Sequence, residues 1–226
     1  MRYYSQVAAP STAHLNLWKQ RLGAVPESVW DRADLETLIL ADNDLSEISE
    51  KIGRLRHLRM LDLGHNRLAA LPESLGEIEG LSDFLYLHDN RLSALPAGLK
   101  RLTRLRYLNI SENRFEQFPE CVCAMENLVE LRASDNQLAL LPASIARLAN
   151  LRELHLRNNR LTTLPDEIGD LKALRQLDLR GNPLQSLPSP IANLPRLEKL
   201  DLRWVATLSF PPWLAQLESR GCLVYR

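Results

Sequence analysis

Aliphatic residues recur along the chain in a fixed phrase. Pairs spaced one residue apart, Leu38/Leu40, Leu61/Leu63, Leu85/Leu87, Leu108/Ile110, Leu131/Ala133, Leu154/Leu156 and Leu177/Leu179, each precede an asparagine. Those asparagines, Asn43, Asn66, Asn90, Asn113, Asn136, Asn159 and Asn182, stand 23, 24, 23, 23, 23 and 23 residues apart. Alternation with period two predicts a short strand with both leucines on one face. Downstream comes x-L-x-x-L-P, as in Arg67 to Pro72, and then apolar residues at steps of three, Leu75, Ile78 and Leu81. One strand per repeat, with the remainder returning to its start, makes a coil. Stacked coils place their strands in a parallel sheet about 4.8 Å apart, with the other leucines pointing inward from the return path. Each buried leucine contributes roughly 2 kcal/mol. The asparagine amide is expected to satisfy backbone groups where the chain leaves the strand; losing such a buried partner costs about 1–3 kcal/mol.

The register runs past both ends of this set. Leu15-Asn16-Leu17 repeats the strand with Gln20 in the asparagine place, Leu200-Asp201-Leu202 repeats it with Val205, and Leu223-Val224-Tyr225 starts once more. The expected organisation is one domain: an N-terminal cap at 1–14, about eight repeats at 15–199, and a last repeat with its cap at 200–226. Trp18 and Trp30 are expected to cover core at one end, and Trp204, Pro211, Pro212 and Trp213 at the other, because an uncapped solenoid exposes an apolar face and a strand edge. With such ends the chain is expected to fold independently. Four departures stand out: Ser49 replaces a proline, the stretch before Leu85 holds one extra residue, Ala133 replaces a core leucine, and Pro195 follows Leu194 on the return path.

The phrase L-P-x-x-[LI]-G-x-L-x-x-L-x-x-L-x-L-x-x-N-x-L, visible from Leu164-Pro165 to Leu184, resembles the leucine-rich-repeat family over about residues 15–226. It looks most like the 23-residue class of intracellular plant and animal Ras-group-related proteins and of many bacterial proteins. The resemblance implies an α/β fold: a right-handed solenoid with a curved parallel sheet on the concave face and loops or short helical turns on the convex face. It further implies a non-enzymatic module that binds a protein on the concave sheet.

In x-L-x-L-x-x-N the four x positions are expected to face concave solvent, so the repeats build columns across the sheet. One patch is apolar and aromatic: Ile39, Met60, Phe84, Tyr86 and Tyr107 on neighbouring strands, with His88 beside it. Clustered exposed apolar side chains mark interaction surfaces, and Tyr and Phe are favoured anchors; the plainer alternative is that they only pack on one another. A second feature is a row of Arg157, Arg180 and Arg203, with Arg132 and His155 beside it and Trp204 following. Glu153, Asp178 and Asp201 are close enough to offset the arginines' repulsion. The mixed surface suggests a protein partner with an apolar and an acidic segment.

Composition narrows the picture. With 28 basic and 28 acidic residues the net charge is zero, which gives no long-range pull toward nucleic acid or a membrane surface. No stretch approaches the ~20 apolar residues of a membrane span, and residues 1–10 hold no signal-peptide core. Three cysteines, without the disulfide-rich caps of secreted relatives, favour a reducing compartment. The expected setting is cytoplasmic: that of a bacterium, or of a host if the chain is a secreted effector. A monomer without a cofactor is expected.

Catalytic patterns do not appear. There is no phosphate-cradling G-x-x-x-x-G-K-[ST] and no G-x-S-x-G elbow. Cys121-Val122-Cys123 has one residue too few for C-x-x-C chemistry. His65, His88 and Asp89 fall short of a converging metal site, and carboxylates such as Asp178 and Asp201 read as a solvated face. Two alternatives stay open: an effector or substrate-recognition part of a ubiquitin ligase whose catalytic part lies elsewhere, and a binder of glycan or acidic polymer through the arginine row.

Overall fold

A computed structural model describes residues 13–226. The expected cap at 1–14 thus lies almost wholly outside the described residues, and His14 already belongs to the first strand. Ten strands of three residues follow in order: β1 (His14–Asn16), β2 (Thr37–Ile39), β3 (Met60–Asp62), β4 (Phe84–Tyr86), β5 (Tyr107–Asn109), β6 (Glu130–Arg132), β7 (Glu153–His155), β8 (Gln176–Asp178), β9 (Lys199–Asp201) and β10 (Leu223–Tyr225). They form one sheet in sequence order, each parallel to the next and in register. This is the solenoid that the period predicts.

The return path carries five-residue 3-10 helices, from Glu27–Asp31 to Ser189–Asn193. Proline sits just before seven of them, at Pro26, Pro72, Pro96, Pro119, Pro142, Pro165 and Pro188. Its fixed φ suits that entry, where its missing N–H loses nothing. Ser49 takes this place in one repeat and caps instead: its hydroxyl accepts from the Lys51 N–H at 3.2 Å. Where Pro195 follows, the terminal residue Leu194 is pushed to ψ 114°, against 66° at Leu171, as the proline ring demands of the residue before it.

The inward leucines of strands and return path form one continuous buried core, from Val29 and Trp30 to Leu217 and Cys222. Ala133 is fully buried within it, one coil after the bulky, equally buried Phe115. The extra residue before β4 leaves a local mark. In the neighbouring coils two successive amides share one carbonyl, as Arg59 and Met60 share Glu36 O. At the insertion they split, Arg106 to Ser82 O and Tyr107 to Asp83 O. The sheet therefore absorbs the extra residue at Ser82 without losing register.

The asparagines run through the core as a ladder. The Asn66 amide donates to Leu40 O of the previous coil and to Leu63 O and Gly64 O of its own, at 3.0–3.1 Å. Its oxygen accepts from the N–H groups of Asn43 and Leu45. Just before each asparagine the chain enters the left-handed region, at Asp42, His65, Asp89, Glu112, Asp135, Asn158 and Gly181. Asp, Asn and Gly tolerate that conformation best, which explains why they dominate the column.

Two expectations about the ends need correction. Trp18 does not cover core; it is 54% exposed, whereas Trp30 is 2% exposed and does. Trp204 is 67% exposed and stands on the surface. At the far end Leu214 and Leu217 of a short helix, α1 (Leu214–Ser219), are buried, with Trp213 packed partly beside them. Among the described residues no helix is long and apolar enough to cross a membrane.

Candidate functional site

The outward positions of β2 to β5 bring the apolar patch together. Register sets Met60 beside Phe84 and Phe84 beside Tyr107, and sets Tyr86 next to Asn109 and Asp62. Phe84 and Tyr86 stack with centroids 5.9 Å apart, and Tyr107 leans on both at 5.5 and 5.0 Å. Such contacts contribute about 0.5–1.5 kcal/mol each beyond burial, so mutual packing explains part of the cluster. It does not use up the cluster: Phe84 stays 41% exposed. Beside the rings a cavity of about 270 Å³ opens, lined by Asp83, Phe84, Arg106, Tyr107, Val129 and Glu130. Burial pushes the Tyr107 phenol up to about 12, against the pull of Arg132 beside it. Burial also raises Tyr86, helped by Asp62 and Glu130. Both phenols are therefore neutral donors for a partner at physiological pH. Ile39 and Met60 are half-buried on the adjoining strands.

The aromatic array continues through histidines. Tyr86 meets His88 edge-on at 6.1 Å, and His88 meets His65 at 4.6 Å. The His65 Nδ1 lies 2.7 Å from Asp89 Oδ2, and the two Nε2 atoms are 3.2 Å apart. A carboxylate only accepts, so neutral His65 donates through Nδ1 and receives the His88 Nε2–H. The His88 Nδ1 is then buried with no hydrogen-bond partner among the described residues. The His88 ring rests on Gly64, where a Cβ would come within 2.4 Å of it.

This arrangement sets a testable acid response. Burial, and then repulsion from His65, hold His88 below its ordinary 6.5, although Asp62, Glu112 and Asp89 pull upward. A depressed folded pKa means the unfolded chain takes the proton first. Stability is full above 6.5 and falls as pH drops through the folded value. In NMR titration His88 is expected to titrate below 6.5, and Gly64→Ala, which displaces the ring, to raise its midpoint. An unmoved midpoint would show that the seat on Gly64 does not set the shift.

The arginine row divides. Arg180 binds Asp178 with two bonds of 2.8 and 2.5 Å and reaches Asp201 at 3.6 Å; Arg203 binds Asp201 at 2.9 and 2.8 Å. Both guanidinium groups lie over the Trp204 ring, at 5.9 and 5.8 Å. Asp178 and Asp201 are thus not a solvated face, as the sequence suggested: they are 8% and 0% exposed, buried under the arginines they neutralise. Glu153 pairs with His155 at 3.3 Å, and Arg132 pairs with Glu130 at 2.6 Å while lying over Tyr107. Arg157 differs. Its Nε is buried without a hydrogen-bond partner, and among the described residues it forms no ion pair. It is the cation of the row still open to an acidic group.

Nor do all four outward columns face solvent equally. The third includes the buried Ala41, Gly64 and Ser111, because the chain there already turns toward the asparagine. The cysteines fit a structural reading. Cys123 and Cys222 are buried and Cys121 half-buried, and burial raises all three thiols, Cys121 to about 11. One constellation escaped sequence reasoning: Glu130, Glu153 and His155, whose ligand atoms converge within 4.8 Å. The available signal was Glu-x-His on β7 with a glutamate one repeat earlier.

Comparison with known proteins agrees with this architecture. The family described as leucine-rich repeat region matches residues 24–138 and 142–220. Mouse Tsukushi (Mus musculus) is 43% identical over 81 residues, 34% of this chain and 23% of that protein, so the chain spans under a quarter of that relative's length. Among solved structures, the leucine-rich repeat domain of the type III effector XopL superposes with a TM-score of 0.81 at 26% identity, over 96% of this chain and 77% of that one. The plant peptide hormone receptor RGFR1, solved in complex with RGF2, gives 0.69 at 25% identity, over 94% of this chain and 47% of that one. The period, the ladder, the parallel sheet and the family match agree, and the chain belongs to the leucine-rich-repeat family.

Proposed function

We propose that the chain is a non-enzymatic protein-interaction module, an adaptor, scaffold or inhibitor, that holds its partner on the concave sheet. The observation that carries this is the ring cluster of Phe84, Tyr86 and Tyr107, mutually packed yet open on one side next to a cavity. Preformed aromatic anchors beside a pocket are what interface hot spots need. Arg157 supplies the contact for an acidic segment, since its guanidinium is the one in its row not already neutralised. Ile39, Met60, His88, Arg132 and His155 frame these anchors. The solved complex of the peptide hormone receptor RGFR1 with RGF2 supports the use of this fold for polypeptide ligands. A monomer acting in the cytoplasm completes the proposal.

A library of displayed peptides tests it. Peptides selected on the wild-type protein are expected to carry apolar and acidic residues. They should bind Phe84→Ala/Tyr86→Ala/Tyr107→Ala about a hundredfold more weakly, the loss of a hot-spot cluster. Leu140→Ala removes an exposed leucine outside the sheet and should leave binding unchanged. If the folded triple variant binds as well as wild type, the site is elsewhere.

The likeness to the XopL domain over nearly the whole chain favours a second reading, the recognition part of a bacterial effector or of a ubiquitin ligase whose catalytic part is elsewhere. It uses the same face. The full reading frame of the gene separates the two.

A further inference from the structure

We propose that Glu130, Glu153 and His155 form a binding site for a divalent transition-metal ion, with Zn2+ as the best match. Register on β6 and β7 sets Glu130 directly opposite Glu153. Like charges so placed repel; Arg132 offsets part of this through its pair with Glu130, and a cation between the two carboxylates removes the rest. The third donor, His155, extends from β7 toward both carboxylates, its Nε2 at 3.3 Å from Glu153 and 3.8 Å from Glu130. One ligand atom from each residue lies within 4.8 Å of the others, and among the described residues this is the cluster of three that converges. Bonds of about 2.0–2.1 Å in a tetrahedron put ligand atoms about 3.3 Å apart. The imidazole–Glu153 distance already matches this, and the Glu130 side chain need only shift within its rotamer range.

Ligand chemistry selects the metal. Mg2+ and Ca2+ prefer all-oxygen shells, whereas imidazole with carboxylates suits zinc and its neighbours. Arg132 does not block the site. Its Nε binds Glu130 Oε1 at 2.6 Å, the same oxygen that lies 3.8 Å from His155, so the metal takes Oε2 after the carboxylate rotates, with the arginine holding Oε1 as outer-shell partners do. The half-buried position on an open sheet leaves further coordination places for water or for a donor from a bound protein. The pair His65 and His88 offers less, because Asp89 is engaged by the His65 Nδ1 and only two nitrogens converge.

The test uses untagged full-length protein, stripped with a chelator and titrated calorimetrically with zinc chloride. One saturable site is expected. His155→Ala and Glu153→Gln should each weaken it at least tenfold, with the fold intact by circular dichroism. His65→Ala should bind as wild type does, and magnesium chloride should give no saturable binding. No zinc binding, binding undiminished in both cluster variants, or binding lost in His65→Ala would each overturn the proposal. The protein is measured alone, so failure here leaves the partner reading intact.

Discussion

Asn113→Leu is expected to lower stability by about 3 kcal/mol, read as a shift in the urea midpoint. Asn113 lies at the middle of the ladder. Its amide donates to Leu87 O, Ile110 O and Ser111 O at 2.9–3.2 Å, and its oxygen accepts from the Leu92 N–H at 2.9 Å. The carbonyls each keep a second donor: Asn90 Nδ2 on Leu87, Asn136 Nδ2 on Ile110 and the Asp89 N–H on Ser111. The Leu92 N–H has no other acceptor among the described residues. An orphaned buried donor costs about 1–3 kcal/mol, and each lost bond that leaves a satisfied partner about 0.5–1.5 kcal/mol. Leucine fills the volume, so the loss measures hydrogen bonding more than a cavity. The consequence is also positional. In a one-dimensional fold each coil touches only its neighbours, so a defect in the middle uncouples the two halves. The unfolding transition should therefore broaden as well as shift. A loss below 1 kcal/mol would mean that the ladder does not tie the coils together.

The ladder was legible because it is periodic. A residue type recurring every 23 residues, each time after the same strand phrase, can have only one kind of environment in a coil, and the buried amides of Asn43 to Asn182 occupy it. The apolar patch was legible for the same reason: register follows from period, so Phe84, Tyr86 and Tyr107 had to meet. What escaped depended on distances across the sheet. The pairing of Asp178 and Asp201 with the arginine row is legible in the sequence, but their burial is not: it follows only when the arginines two positions on fold back over them. Trp18 looks like a cap because tryptophan is large and apolar, yet it stands exposed in the first coil, although the same column is buried at Ala41, Gly64 and Ser111. Glu130 carries no mark of its own in the sequence, and only the side-chain direction of His155 makes it part of a cluster. Pattern fixes which residues are neighbours. Charge balance decides which of them stay free, and that is set pair by pair.

Asp201→Asn is expected to cost about 2 kcal/mol at neutral pH and progressively less in acid. Asp201 is fully buried, and burial alone would push its carboxyl up. Hydrogen bonds from the Arg203 side chain and N–H, with the charges of Arg180 and Arg203, more than offset this and hold it below its ordinary 3.8. A depressed folded pKa gives stability that is present above 3.8 and lost as pH falls through the folded value. Charge-assisted bonds contribute about 1.5–3 kcal/mol; Arg203 is partly exposed, which places the expected loss toward the lower end. The gap between wild type and variant in urea denaturation should be full at pH 7 and shrink below 3.8, since the amide does not titrate. A gap independent of pH would assign the effect to packing and not to charge. The substitution also bears on the partner. Trp204 holds a left-handed backbone at φ 62°, unfavourable for a large side chain, with the two guanidinium groups lying over its ring. With the aspartate neutralised, Arg203 joins Arg157 as a cation open to an acidic segment, while Arg180 stays paired with Asp178. A peptide chosen for acidic residues should then associate faster with the variant at low salt, and this advantage should vanish as ionic strength rises. Equal rates at every salt concentration would place the acidic segment away from this row and leave the aromatic cluster to anchor the partner.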